Sequence, residues 1–235
     1  MKTCLLVQPG PFGDIIICAP IAKFYADQGF EVWWPSSVKF KGLIESLPYV
    51  RWGKIPTEKL HDDWLRSDVM HILKTTDRYS TVVNLADRGP HSTAQRPGEN
   101  FEQCKYRIAG VPFKEKHKLV WSRDEGKEDD IESMFAPKED YAFVHNTSSD
   151  GEILSLPEIE LPIVYNHAPP GYTIFDWYKV LKNAKELYCT ESSIHCFCDG
   201  IVSDLVKKLY LLPRKNGNGK LLTISSFWDL THFYK

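Results

Sequence analysis

The sequence predicts an α/β protein built as two halves, each with its own parallel sheet. Three observations lead there. Short, nearly continuous apolar runs recur along the chain, as in KTCLLVQ, FEVWW and YAFVHN. Stretches with helical spacing of apolar residues lie between them. The whole pattern then restarts after a charged stretch at 122–140. Strands that are apolar throughout, rather than alternating, belong to parallel sheets covered on both faces. A chain of 235 residues, 43% hydrophobic, holds enough apolar material for one large domain or two small ones.

The elements follow in order. KTCLLVQ is a first strand, ended by Pro-Gly. From Asp14 to Gln28, apolar residues at 15, 16, 19, 22 and 26 give a helix with one buried face, stopped by Gly29. FEVWW (30–34) is a second strand. Residues 38–47 read as a short helix, 50–54 as a short strand and 58–75 as a polar helix. STVVNLAD (80–87) is a strand that opens onto the loop RGPHSTAQRPGE (88–99), on the edge where open α/β sheets usually meet ligands. NFEQCKYRIAG is a helix closed by Gly110. These elements make an N-terminal domain, 1–122, and the charged 123–140 reads as a surface linker. In the second domain, 141–224, YAFVHN, LPIVYN, KELYCT and KKLYLLP are strands. Residues 173–183 and 191–201 are helices, and the C-terminal segment 225–235 is expected to pack back on the first domain. Two such halves, each with polar strand-end loops, imply a cleft between them.

Bulk properties narrow the function. A net charge of -2 gives no general basic footprint for nucleic acid, though KYR (105–107) and KEKHK (114–118) form a modest basic stretch. Six cysteines without C-x-x-C spacing, and no secretory leader pattern, read as free thiols in a reducing cytoplasm. Cys196, Cys198 and His195 crowd one segment, but no fourth zinc ligand is evident. No apolar run approaches the length of a membrane span. No D-x-D stands at a strand end, so no metal ligand is assigned and no essential metal is expected.

Two constellations are suited to chemistry. QPGPFGD (8–14) lacks both the Lys-Ser/Thr of a phosphate loop and the third glycine of a dinucleotide fingerprint. Its carboxylate, Asp14, would itself oppose phosphate. Asp14 is either the cap of the following helix or a general base presented by the loop of Gly10 and Gly13. The second constellation, TESSIH (190–195), ends a strand and starts a helix, where free backbone N–H groups favour phosphate. Ser192 and Ser193 add hydroxyls, Glu191 is an acceptor for ribose or base, and His195 is a donor to phosphate or a leaving oxygen. The alternative there is a capping serine beside a packed histidine. Asn146, Thr147 and Ser148, with Ser149, form a second candidate phosphate-contacting loop, and HAPPG (167–171) a third.

GPFGDIIICAPIAKFYADQGFEVWW resembles the start of the heptosyltransferase-like glycosyltransferases, and LYCTESSIHCFCDGI resembles their donor-binding segment. FVHNTSS resembles the first donor-domain strand of that family with its loop. Ser193 stands where glycine is usual and Glu191 where Asp is commoner. The resemblance implies a compact GT-B-like fold of two Rossmann-like domains, in a short, divergent, phage-type member working in the host cytoplasm. It also implies an inverting, metal-independent transfer of sugar from a nucleotide-sugar donor to an acceptor hydroxyl. Asp14 matches the base, Gly13 the turn beside it, and Ser192, Ser193 and His195 fall in the donor segment. No cofactor beyond the nucleotide sugar is implied.

The acceptor is left open between a glycan, a small molecule and a modified DNA base. The DNA reading would need a flipped hydroxymethylated base, basic backbone contacts, and stacking on Trp33 or Trp34. Arg88, His91 and Arg96, on the 88–99 loop, are candidate contacts to an acidic acceptor or to donor phosphates. Two other classes remain beside these: a non-catalytic nucleotide- or sugar-binding protein, and an NAD-dependent oxidoreductase, which the missing third glycine disfavours.

Overall fold

The structure is a computed structural model that describes residues 2–55, 72, 74, 76–86, 95–148, 151–167, 169–205, 208–212 and 227–229. It divides into two compact units, Met1–Ser122 and Arg123–Lys235. Each carries a four-stranded, wholly parallel sheet, and six α-helices lie among the described residues. The expected helix at 58–75 falls almost entirely outside the described residues, as do Arg88, His91 and Ser149.

In the first unit the strands are β1 (Lys2–Val7), β2 (Phe30–Ser36), β3 (Val50–Lys54) and β4 (Thr81–Asn84), in spatial order β3-β2-β1-β4. Cys4 to Val7 are fully buried because β1 is central and covered on both faces. Leu5 and Val7 point to one face, where they pack with Ile55 and Ile72. Helix α1 (Phe12–Asp27) starts two residues before Asp14, with Pro11 as its N-cap. Every residue from Ile15 to Ala22 is buried, so the helix is enclosed rather than covered on one face. It packs against β2, against α3 (Phe101–Ile108) and against the 3-10 turn Phe113–His117. Helix α2 (Lys41–Glu45) precedes β3. Asn100 and Gln103 close a reciprocal capping box at the start of α3, and Gly110, at φ +67, follows its end.

In the second unit β5 (Ala142–His145), β6 (Ile163–Tyr165), β7 (Glu186–Thr190) and β8 (Lys208–Leu212) run in the order β6-β5-β7-β8. One face buries Ala142, Val144, Tyr188, Tyr210 and Leu212 under Leu154, Leu156, Ile159 and Leu161. The β5-to-β6 connection that supplies those four side chains is extended chain, with no helix in its described part. Helix α5 (Tyr178–Asn183) precedes β7, and α6 (Ser193–Gly200) follows it.

Two expectations are corrected here. The charged stretch at 123–140 is not a linker: it holds α4 (Glu125–Phe135), which packs on α5 and on the 3-10 turn Ile174–Trp177. Ile131 is buried there, and Phe135 stacks on Trp177 at 5.1 Å. Glu128, also buried, is held by two hydrogen bonds from Arg123. High charge hid a narrow apolar stripe. The described part of the C-terminal segment, Phe227–Asp229, lies on the second sheet. Asp229 bridges Tyr210 of β8, and the Trp228 indole N–H donates to Asp199 at 2.7 Å.

Candidate functional site

In an open parallel sheet, ligands gather beyond the carboxyl ends of the strands, where the strand order reverses. In the first unit that point lies between β1 and β4. Three polar side chains from separated parts of the chain meet there. Gln8 leaves the end of β1, Asp14 rises from the first turn of α1, and Lys105 enters from α3. Lys105 Nζ donates to Gln8 Oε1 at 2.7 Å and to the Leu85 carbonyl, just past β4, at 3.1 Å. Gln8 Nε2 donates to the Gly10 carbonyl at 2.6 Å and to Asp14 Oδ2 at 3.3 Å. Asp14 Oδ1 stands 3.9 Å from Lys105 Nζ.

Local sequence explains the geometry. Trp34 Nε1 donates to the Gln8 carbonyl at 2.6 Å, which anchors the end of β1 to β2. Gly10 has φ +154, and a Cβ there would overlap the Phe40 ring, so the loop can run past Phe40 only at a glycine. Pro11 fills the N-cap without a side-chain acceptor. Asp14, the third residue of the helix, has no backbone N–H to reach back to, because Pro11 lacks one. The capping role weighed for Asp14 is therefore corrected: its hydrogen-bond and ion-pair partners among the described residues are Gln8 and Lys105. Burial pushes the Asp14 pKa up, and the Lys105 charge pulls it back down. Its side chain keeps 20% of its surface exposed, whereas that of Lys105 keeps 1%.

Gln8 and Lys105 are not among the candidate site residues read from the sequence, where Lys105 belongs only to a modest basic stretch. The structure corrects that stretch. Lys105 and Tyr106 are buried, and Arg107 is clamped by Glu99 at 2.7 and 2.9 Å. Lys116 is buried against Glu102 at 2.5 Å, and Lys118 pairs with Glu115. Trp34, offered as a stacking platform, is fully buried, and Trp33 packs into the core beside Leu5 and Val7. Arg96 is exposed, and its backbone N–H donates to Glu99.

The second unit's reversal point lies between β5 and β7, and there the proposed side chains have structural partners. Ser192 is the N-cap of α6, its hydroxyl accepting from the His195 N–H at 3.4 Å. The N–H groups of Ser193 and Ile194 bond to no other described residue. Ser192 and Ser193 are half-exposed, while Thr190 and Glu191 are buried. His195 is wholly buried, its ring 4.7 Å from that of Trp228. The expected donation from His195 to substrate is corrected: its ring presents no surface in this structure.

Asn146 and Ser148 close a tight hairpin. Asn146 Nδ2 donates to the Leu154 carbonyl at 2.9 Å, and Ser148 Oγ accepts from the Glu152 N–H at 3.1 Å. Only Thr147 of that trio is exposed. His145, at the end of β5, was not singled out by sequence; burial lowers its pKa. His167 stacks on Phe135 at 5.3 Å, and Ala168 lies outside the described residues. All six cysteines are buried. Among the described residues no three His, Cys, Asp or Glu side chains form a metal-holding group, and no helix is long and apolar enough to cross a membrane.

Fold and strand ends together define a chain of two Rossmann-like α/β units, with a buried cation-amide-carboxylate cluster in the first. No protein-family model matches it, and no curated protein matches it. Among solved structures it is similar to three glycosyltransferases. The first is the ADP-heptose lipopolysaccharide heptosyltransferase II of E. coli, with TM-score 0.48 and 11% identity, covering 90% of this chain and 84% of that one. The second is the iron-containing dodecameric glycosyltransferase TibC of enterotoxigenic E. coli H10407, with TM-score 0.47 and 12% identity over 89% of this chain. This chain spans 57% of TibC. The third is the E. coli heptosyltransferase WaaC with ADP-2-deoxy-2-fluoro heptose, with TM-score 0.46, 12% identity, and 94% and 95% of the two chains covered.

Proposed function

We propose that the chain is an inverting glycosyltransferase that moves a sugar from a nucleotide-activated donor to an acceptor hydroxyl, with Asp14 as general base and no essential metal. The observation that carries this reading is the Asp14 carboxylate. It lies at the strand-order reversal of the first sheet, takes no part in capping, and keeps one side open to solvent. Burial raises its pKa toward working pH, which suits a base that must pick up a proton in the transition state. Asp14 takes the acceptor hydroxyl proton as that oxygen attacks the anomeric carbon from the side opposite the leaving diphosphate.

The second unit supplies the donor end. The Ser193 and Ile194 N–H groups at the start of α6, with the half-exposed Ser192 and Ser193 hydroxyls, are suited to phosphate and to the charge that grows on it as the bond breaks. Thr147, exposed beside the β5 end, is a second contact. Glu191 and His195 are buried, so neither side chain is offered as a donor contact. Because the basic stretch at 105–118 is largely paired or buried, a glycan or small-molecule acceptor is favoured over DNA.

A panel of nucleotide sugars, read by thermal shift and by donor hydrolysis, tests this reading. At least one donor should stabilise the protein and be consumed, with or without a chelator. No response to any nucleotide sugar or free nucleotide sinks the proposal, and loss of activity with chelator sinks the metal-independent form. Duplex DNA carrying hydroxymethylated pyrimidines, run beside plain duplex, separates the acceptor classes.

A further inference from the structure

We propose that Lys105 is the positioning residue of the first unit's site: with Gln8 as its relay, it holds the Asp14 carboxyl ionised and fixes its orientation. The proposal rests on the reading of Asp14 as the working carboxylate.

Lysine is almost never fully buried unless it is paired, because removing an ammonium from water is costly. Here Lys105 is 1% exposed. Its hydrogen-bond acceptors, Gln8 Oε1 and the Leu85 carbonyl, are both neutral. The Phe101 ring lies 4.5 Å below the ammonium. Among the described residues, the one carboxylate paired with it is Asp14. A hydrophobic side chain of similar length would fill the same space without the desolvation cost, so packing does not explain the charge.

The Gln8 amide is fixed by its surroundings. Its NH2 faces two acceptors, Gly10 O and Asp14 Oδ2, and its oxygen faces a donor, Lys105. Turning it over would set oxygen against oxygen and N–H against ammonium. The amide therefore carries the lysine's polarity to one carboxylate oxygen, while the ammonium faces the other across 3.9 Å, beyond hydrogen-bond length. Other groups around Asp14 do not substitute for this charge. Cys18, one turn along α1, is a buried thiol pushed up to about 12, so it stays neutral. Glu102, on α3, is paired with Lys116.

Two variants test the proposal. Lys105→Met removes the charge at similar length, and Gln8→Met removes the relay while keeping the charge. The Asp14 carboxyl is followed by carbon-13 NMR titration, its signal assigned by its absence in Asp14→Asn, so the readout does not depend on transfer. In Lys105→Met the Asp14 titration should move to higher pH. The acid limb of kcat should move with it, giving a loss on the order of tenfold at neutral pH that recovers as pH rises. Gln8→Met should lower kcat with little change in KM. An unmoved Asp14 titration in folded Lys105→Met overturns the proposal. If that variant does not fold, an unchanged kcat in Gln8→Met overturns it instead. The two claims fail separately: full transfer by Asp14→Asn overturns the base assignment, whereas an unmoved titration overturns the role of Lys105.

Discussion

The two strand-end regions follow one topological rule and invest their polar groups in opposite ways. In the first unit, Gln8 and Lys105 are buried and converge on a carboxylate that stays partly open. In the second, Asn146 and Ser148 close a hairpin, Ser192 caps a helix and His195 packs on Trp228. The first region holds a partly exposed carboxylate beside a buried lysine. The second offers mainly backbone donors at a helix start. The proposed division between proton transfer and phosphate binding rests on this difference, and the two regions should differ in their sensitivity to mutation.

The largest stability effect should come from the first unit. Lys116→Met removes the buried ammonium paired with Glu102 on α3, the helix that carries Lys105, and should cost about 3–5 kcal/mol. In the second unit, Arg123→Met strands Glu128 in a similar way, but Arg123 is 35% exposed and water can replace part of what is lost. Denaturant unfolding of both variants should therefore show the greater loss for Lys116→Met; a greater loss for Arg123→Met would reverse the contrast. Trp228→Ala should cost about 3 kcal/mol, because it empties the space over His195 and removes the bond to Asp199. A melt unchanged by that substitution would remove the C-terminal strap from the second core.

Smaller effects sharpen the comparison further. Ser192→Ala should destabilise by about 1 kcal/mol through the lost cap. If donor affinity falls while stability does not, Ser192 is a ligand contact first and a cap second. Glu99 gives a pH signature for the first unit. Hydrogen bonds from Arg107 hold its carboxyl at about 2. Its contribution is thus present above the unfolded value of about 4.3 and is lost as pH falls toward 2. The stability gap between wild type and Glu99→Gln should narrow over that window in acid melts. A gap constant down to pH 2 would show that the clamp does not persist in solution.

The strands were readable because parallel strands are apolar on both sides, and the runs at 2–7, 30–36, 142–145 and 186–190 leave little else to fold into. Three features were hidden for physical reasons. Asp14 read as either a cap or a base because a short acid before an apolar run is a common helix start, yet Pro11 takes the N-cap position and has no N–H. The helix at 125–135 was masked by its charge; Ile131 and Phe135, one turn apart, were the signal. Lys105 was assigned to the surface because lysines belong there. Its spacing of four from Phe101, whose ring it covers, was the available hint that it faces inward. The hydrogen bonds that use Asn146 and Ser148 join residues four to eight positions apart in a loop with no periodic pattern, so no spacing rule reveals them.

The most direct test of the central claim compares Asp14→Asn with wild type, measuring donor binding by calorimetry and sugar transfer on the same sample. Donor affinity should stay near wild type, and transfer should fall by about 100-fold or more. Transfer at the wild-type rate in the folded variant would contradict it.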